Sequence, residues 1–124
     1  MKRLLVTTLA IALGAAPALA GDIYGSLYYD PNSGAWGASS SQSSPDVAEL
    51  VALGNCEANN PSSSFCEQIA TVEGVCVVLA VSPDGPWGFG VDDDDVIAEN
   101  AAMDYCEANG GYDCAPEIRV CGDE

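Results

Sequence analysis

Residues 48–59 read Ala48-Glu49-Leu50-Val51-Ala52-Leu53-Gly54-Asn55-Cys56-Glu57-Ala58-Asn59, and residues 98–109 read Ala98-Glu99-Asn100-Ala101-Ala102-Met103-Asp104-Tyr105-Cys106-Glu107-Ala108-Asn109. Seven of the twelve positions are identical, at a spacing of fifty residues. In each copy Ala, Ala and Cys fall at i, i+4 and i+8, so small side chains stack on one face of a helix and let it come close to a sheet. Leu53 and Met103 widen that stripe. Upstream, Pro31-Asn32-Ser33-Gly34-Ala35-Trp36-Gly37 is echoed by Pro83-Asp84-Gly85-Pro86-Trp87-Gly88. This is one supersecondary unit used twice, too short a series for a solenoid.

Working outward, Ile23 to Tyr29 and Val75 to Val81 are rich in β-branched, aromatic and other apolar residues and read as strands. Each is followed by a Pro/Asn/Asp/Gly turn, so the segments around Trp36 and Trp87 are expected to return as hairpin partners. The first helix starts at Ser44-Pro45-Asp46, with Ser as N-cap, Pro at the first helical position and an acid near the positive end of the dipole. Asp92 to Asp95 occupy the same place in the second copy. Asn59-Asn60 and Gly110-Gly111 suit left-handed caps. A last strand follows in each copy, near Phe65 to Val72 and Tyr112 to Val120. The expected architecture is α+β: a duplicated ββαβ unit, two helices packed on one small sheet, over about 21–72 and 73–124. The polar stretches Ser39 to Ser44 and Pro61 to Ser64 read as loops.

Residues 1–20 read as a cleaved signal peptide. Lys2 and Arg3 precede an apolar run from Leu4 to Ala16, Pro17 breaks it, and Ala18-Leu19-Ala20 is a small-x-small cleavage site. The run falls short of the roughly 20 residues of a membrane span, and no later one is longer, so no membrane span is expected after removal of the leader. Residues 21–124 then form one domain, large enough for one modest core. They hold all nineteen acids and a single cation, Arg119, a formal charge of −18 against −16 for the whole chain. Such an excess argues against nucleic acid and anionic membrane surfaces, which need Lys and Arg. It reads as a solvation adaptation, and a charged partner is expected to be cationic.

The chain has six cysteines and no histidine. An even count in a short exported chain implies a disulfide framework, and zinc knuckles are missing. Counting alone leaves the pairing open. The symmetry of the copies suggests Cys56–Cys66 and Cys106–Cys114, each pinning a helix end to the strand after it, with Cys76–Cys121 tying the two halves together. Each short closure contributes roughly 2–3 kcal/mol on the chain-entropy view.

The order of these features resembles a bacterial secreted family catalogued as domain of unknown function 4189. The resemblance rests on Gly34-Ala35-Trp36-Gly37, Ala48 to Cys56, Cys76, the turn Ser82-Pro83-Asp84-Gly85 with Trp87-Gly88, and Ala98 to Cys106, and spans 21–121. It implies a fold plan and an exported location (periplasm or medium) but no activity. Here the helices lack the Arg and Lys that the family's helices often carry, so a basic binding surface is not expected.

No catalytic residue and no cofactor are expected. Without His, or any Lys beyond the leader, a Ser or Cys nucleophile has no ordinary base, and there is no phosphate-binding loop. Asp92, Asp93, Asp94 and Asp95 offer oxygens to calcium and are the candidate metal residues, although the spacing of an EF-hand is missing and the helix start and solvent account for them. Glu57 and Glu107, and about two turns earlier Glu49 and Glu99, are expected to face water. Arg119 is expected in a structural ion pair. Trp36 and Trp87, with Tyr28 nearby, form a candidate surface for a protein or glycan partner, or else cover one side of a sheet. The reading is an exported, acidic, non-catalytic binding or envelope-associated module. The alternatives are a carboxylate-based glycan hydrolase and a calcium-binding or structural protein.

Overall fold

Cys76, Val77, Val78, Leu79 and Ala80 are consecutive and all buried. Side chains alternate between the two faces of a strand, so a run buried throughout needs a covering layer on each side. That requirement organises the molecule. The computed structural model describes residues 22–62 and 64–124, and the expected leader lies outside the described residues. In chain order the elements are β1 (Tyr24–Tyr29), β2 (Trp36–Gln42), α1 (Pro45–Ala58), β3 (Glu67–Glu73), β4 (Cys76–Val81), β5 (Trp87–Asp92), α2 (Asp95–Ala108) and β6 (Ala115–Cys121).

The strands form two three-stranded antiparallel sheets, β2-β1-β3 and β5-β4-β6. The α+β class and the two ββαβ units stand, but the single sheet expected from the sequence is replaced by two. The reason lies in the central strands: β1 and β4 each give both edges to strands of their own unit, and neither has an edge left for the other. The units meet face to face instead. Leu27, Tyr29 and Val72 of the first sheet pack on Val77, Leu79 and Val120 of the second, with Trp36 and Trp87 against the cluster. Tyr29 meets Trp87 edge-on, with ring centroids 5.5 Å apart. Full burial of Leu27 or Leu79 contributes about 1.5–3 kcal/mol each. Backbone bonds stitch the units at their ends, from Gly74 N–H to Ile23 O and Ser41 N–H to Gly122 O, each at 2.8 Å.

The helices cover the outer faces. Ala48, Ala52 and Cys56 of α1, and Ala98, Ala102 and Cys106 of α2, are completely buried, the latter three against Val78 and Ala80. The hairpins make this approach possible. A Cβ on Gly37 would lie 2.2 Å from the Cys56 nitrogen and 2.3 Å from the Ala52 oxygen, and one on Gly88 would lie 2.3 Å from the Cys106 nitrogen. In each Trp-Gly pair, tryptophan therefore faces the other sheet while glycine lets the helix backbone sit on the strand. Asn55 and Asn109 fasten the contact, donating to Ala38 O at 3.0 Å and Trp87 O at 2.9 Å.

All six cysteines are paired, as Cys56–Cys66, Cys76–Cys121 and Cys106–Cys114. The first and last tie a helix end to the segment entering the next strand. Cys76–Cys121 does not tie the halves together, as the sequence reading had it. Its partners face each other across β4 and β6, inside the second sheet, where the first sheet has Tyr24 opposite Glu73. The helix ends also differ. After α2 the chain turns left-handed at Gly110, with φ of 95°. After α1 no such residue occurs at Asn59 or Asn60, and the Asn60 side chain bonds outside the helix.

Candidate functional site

Asn60 is committed to Asp30. This aspartate follows β1, has no solvent exposure, and sits where the strand hands over to its turn. Its carboxylate accepts hydrogen bonds from Asn60 Nδ2 at 2.8 Å, the Asn32 backbone N–H at 2.9 Å and the Ser64 hydroxyl. Those donors, the Ser64 hydroxyl first, hold the carboxyl down at about 2, against the desolvation that would raise it. In the second unit Ser82 stands at this place, accepting from the Asp84 N–H and donating to Tyr112 O. Both residues precede a proline and both fasten their hairpin turn to the loop after the helix. Asp30 is thus a structural anion, and no reading of the sequence had singled it out.

The Asp92 to Asp95 run is divided among local tasks. Asp92 accepts from the Asp94 N–H at 3.0 Å, and this bond, with help from Asp93, lowers its pKa. Asp94 is the N-cap of α2, accepting from Val96 N–H at 2.9 Å and Ile97 N–H at 3.4 Å. Asp95 pairs with Arg119 at 2.6 Å, and Glu124 reaches the same guanidinium at 3.8 Å. Asp93, Asp94, Asp95, Arg119 and Glu124 line an open, polar hollow of about 620 Å³ beside the Cys76–Cys121 bridge. Among the described residues no three acidic side chains converge as metal ligands do.

A different groove lies where α1 crosses the first sheet. Leu27 and Tyr29 point to the other sheet, so Tyr28 points to the helix side. Asp46, Glu49, Leu50 and Leu53 follow one another along the facing side of α1, at the spacings that bring helical side chains together. With Tyr28 they enclose about 390 Å³. Leu50 is 70% exposed. Glu49 is not turned to water, as its duplicate Glu99 is: its Oε2 accepts from Thr71 Oγ1 at 2.9 Å and from Gln68 Nε2 at 3.1 Å. Gln68 also donates to Thr71 at 2.7 Å. Burial, and next the negative charge of Glu49, raise the Tyr28 pKa. The sequence placed Glu49 with the solvated acids because its partners come from β3, and at the matching places β6 carries Pro116 and Arg119.

Of the three aromatic residues predicted as a surface, Trp36 and Trp87 are half-buried against the inter-sheet cluster. Tyr28 lies on the opposite face of the first sheet, packed with Leu53 against Ala35, Cys56 and Cys66. The structure therefore does not bring the three together, because strand alternation separates Tyr28 from Trp36.

The family model described as domain of unknown function (DUF4189) matches residues 24–121. The chain belongs to this family. The match runs from the first residue of β1 to Cys121, so both ββαβ units and every cysteine of this DUF4189 chain fall within it. No curated protein matches the chain, and no solved structure matches it. Among the described residues no helix of this DUF4189 protein is long and apolar enough to cross a membrane.

Proposed function

We propose that this DUF4189 protein is an exported module that works by binding a partner in the periplasm or the surrounding medium. The observation that carries the reading is the set of three disulfides in about a hundred residues. Such bridges persist outside the reducing cytoplasm and stand in for core in small exported domains. The leader-like residues 1–20 agree with it, as does the acid excess, which keeps copies apart in solution. A general-acid carboxyl needs its pKa raised, and Asp30 and Asp92, held down by donors that serve the fold, do not suit that task.

Expression of the full chain in a bacterial host tests the location. The expected product is found outside the cytoplasm, begins at Gly21, and takes up no thiol reagent until it is reduced. A cytoplasmic product with an intact leader and several reactive thiols sinks the reading.

A further inference from the structure

We propose that the groove of Tyr28, Asp46, Glu49, Leu50 and Leu53 receives a lysine or arginine side chain, together with an apolar neighbour, from a cationic polypeptide segment. This rests on the binding-module reading and names its site and partner. The groove combines two features. Its walls are apolar where Leu50, Leu53 and the Tyr28 ring meet, and Leu50 is 70% exposed. Its rim carries two carboxylates, one of them already positioned. Thr71 and Gln68 both donate to Oε2 of Glu49, and among the described residues no donor reaches its Oε1. A held carboxylate beside an apolar wall matches an amphipathic cation, whose aliphatic stem lies along the wall while the charged end meets the oxygen.

The second unit shows that the groove is not a by-product of the fold. At the matching positions it has Ala80 for Tyr28, Val96 for Asp46, Asn100 for Leu50, and Pro116 and Arg119 for Gln68 and Thr71. Ala80 is completely buried under α2. Only Glu99 repeats, and it is exposed. Charge decides the occupant. Arg119, the one cation among the described residues, is engaged by Asp95 at 2.6 Å. No other cation among the described residues is left to complement Glu49, and a partner polypeptide would supply it.

Titration of the purified, bridged protein with a short, dye-labelled peptide alternating lysine and leucine tests this by fluorescence anisotropy at low ionic strength and again at about 0.15 M salt. The expected result is saturable one-to-one binding that weakens with salt. Glu49→Gln and Leu50→Ser are each expected to weaken it roughly threefold to tenfold, with the melting temperature unchanged. Glu99→Gln, the same loss of charge on the sister helix, is expected to leave it unaltered. Equal weakening by Glu99→Gln would reduce the attraction to diffuse charge and overturn the proposal. So would equal affinity for a lysine–serine peptide, which ignores the apolar wall, or for the diamine cadaverine, which needs no polypeptide. No saturable binding by a protein that is still exported and fully bridged removes the groove alone and leaves the module reading standing.

Discussion

Asp30 shows how one side chain sets a pH limit. Its carboxyl is held at about 2 by Ser64, Asn60 and the Asn32 N–H, below the value of about 3.9 expected in an unfolded chain. A carboxyl lowered on folding stabilises the fold above its unfolded pKa, and that contribution is lost as pH falls through the folded one. Asp30→Asn is therefore expected to lower the melting temperature at pH 7 by several degrees. The gap between the two proteins should close as pH falls from about 4 to about 2. Urea unfolding of both across that range checks it, and a gap that stays constant removes the ionic role. This residue was not legible in the sequence because its side-chain donors Asn60 and Ser64 lie thirty and more positions on, in a polar loop that reads as solvated. One signal was available: Asp30-Pro31 and Ser82-Pro83 open the two turns alike, and both Asp and Ser side chains cap such turns.

The elements were far more legible. Ser44 caps α1 and accepts from the Val47 N–H, as its place before Pro45 implied. The β1 and β4 strands begin one residue later than their apolar runs suggested, because pairing decides strand ends and composition cannot. The tryptophans left two readings open for a related reason. A large ring on a hairpin reads as a platform or as core with equal ease until the second sheet is known. Their glycine neighbours carry the sharper information. Gly37→Ala and Gly88→Ala would each drive a Cβ into helix backbone, and each is expected to cost about 2–4 kcal/mol. Gly54 sits within α1 with nothing within 4 Å of its would-be Cβ, so Gly54→Ala is expected to add about 0.5–1 kcal/mol. Chemical denaturation of the three variants reads these opposite signs directly, and equal effects would refute the close-docking account.

On the scale of the whole molecule, the duplication announced two similar units but left open how they meet. The unbroken apolar run of β4 identifies a strand covered on both faces without saying whether the second cover is a helix or another sheet. The inter-sheet cluster answers that: each unit is one half of a shared interior and exposes apolar surface if separated. The positions that differ between the copies had no pattern to reveal them, so the Tyr28 groove could be seen only in three dimensions.

The sulfur bonds stay within their own halves, two beyond Glu73 and one before it. The backbone between Glu73 and Val75 is consequently the sole covalent tether joining them. A protease site built in at Gly74 and cut should leave a nicked protein that still migrates as one species under native conditions. Boiled in detergent without reductant, it should run as two bands where the uncut chain runs as one. A single band would reveal a cross-link spanning the nick.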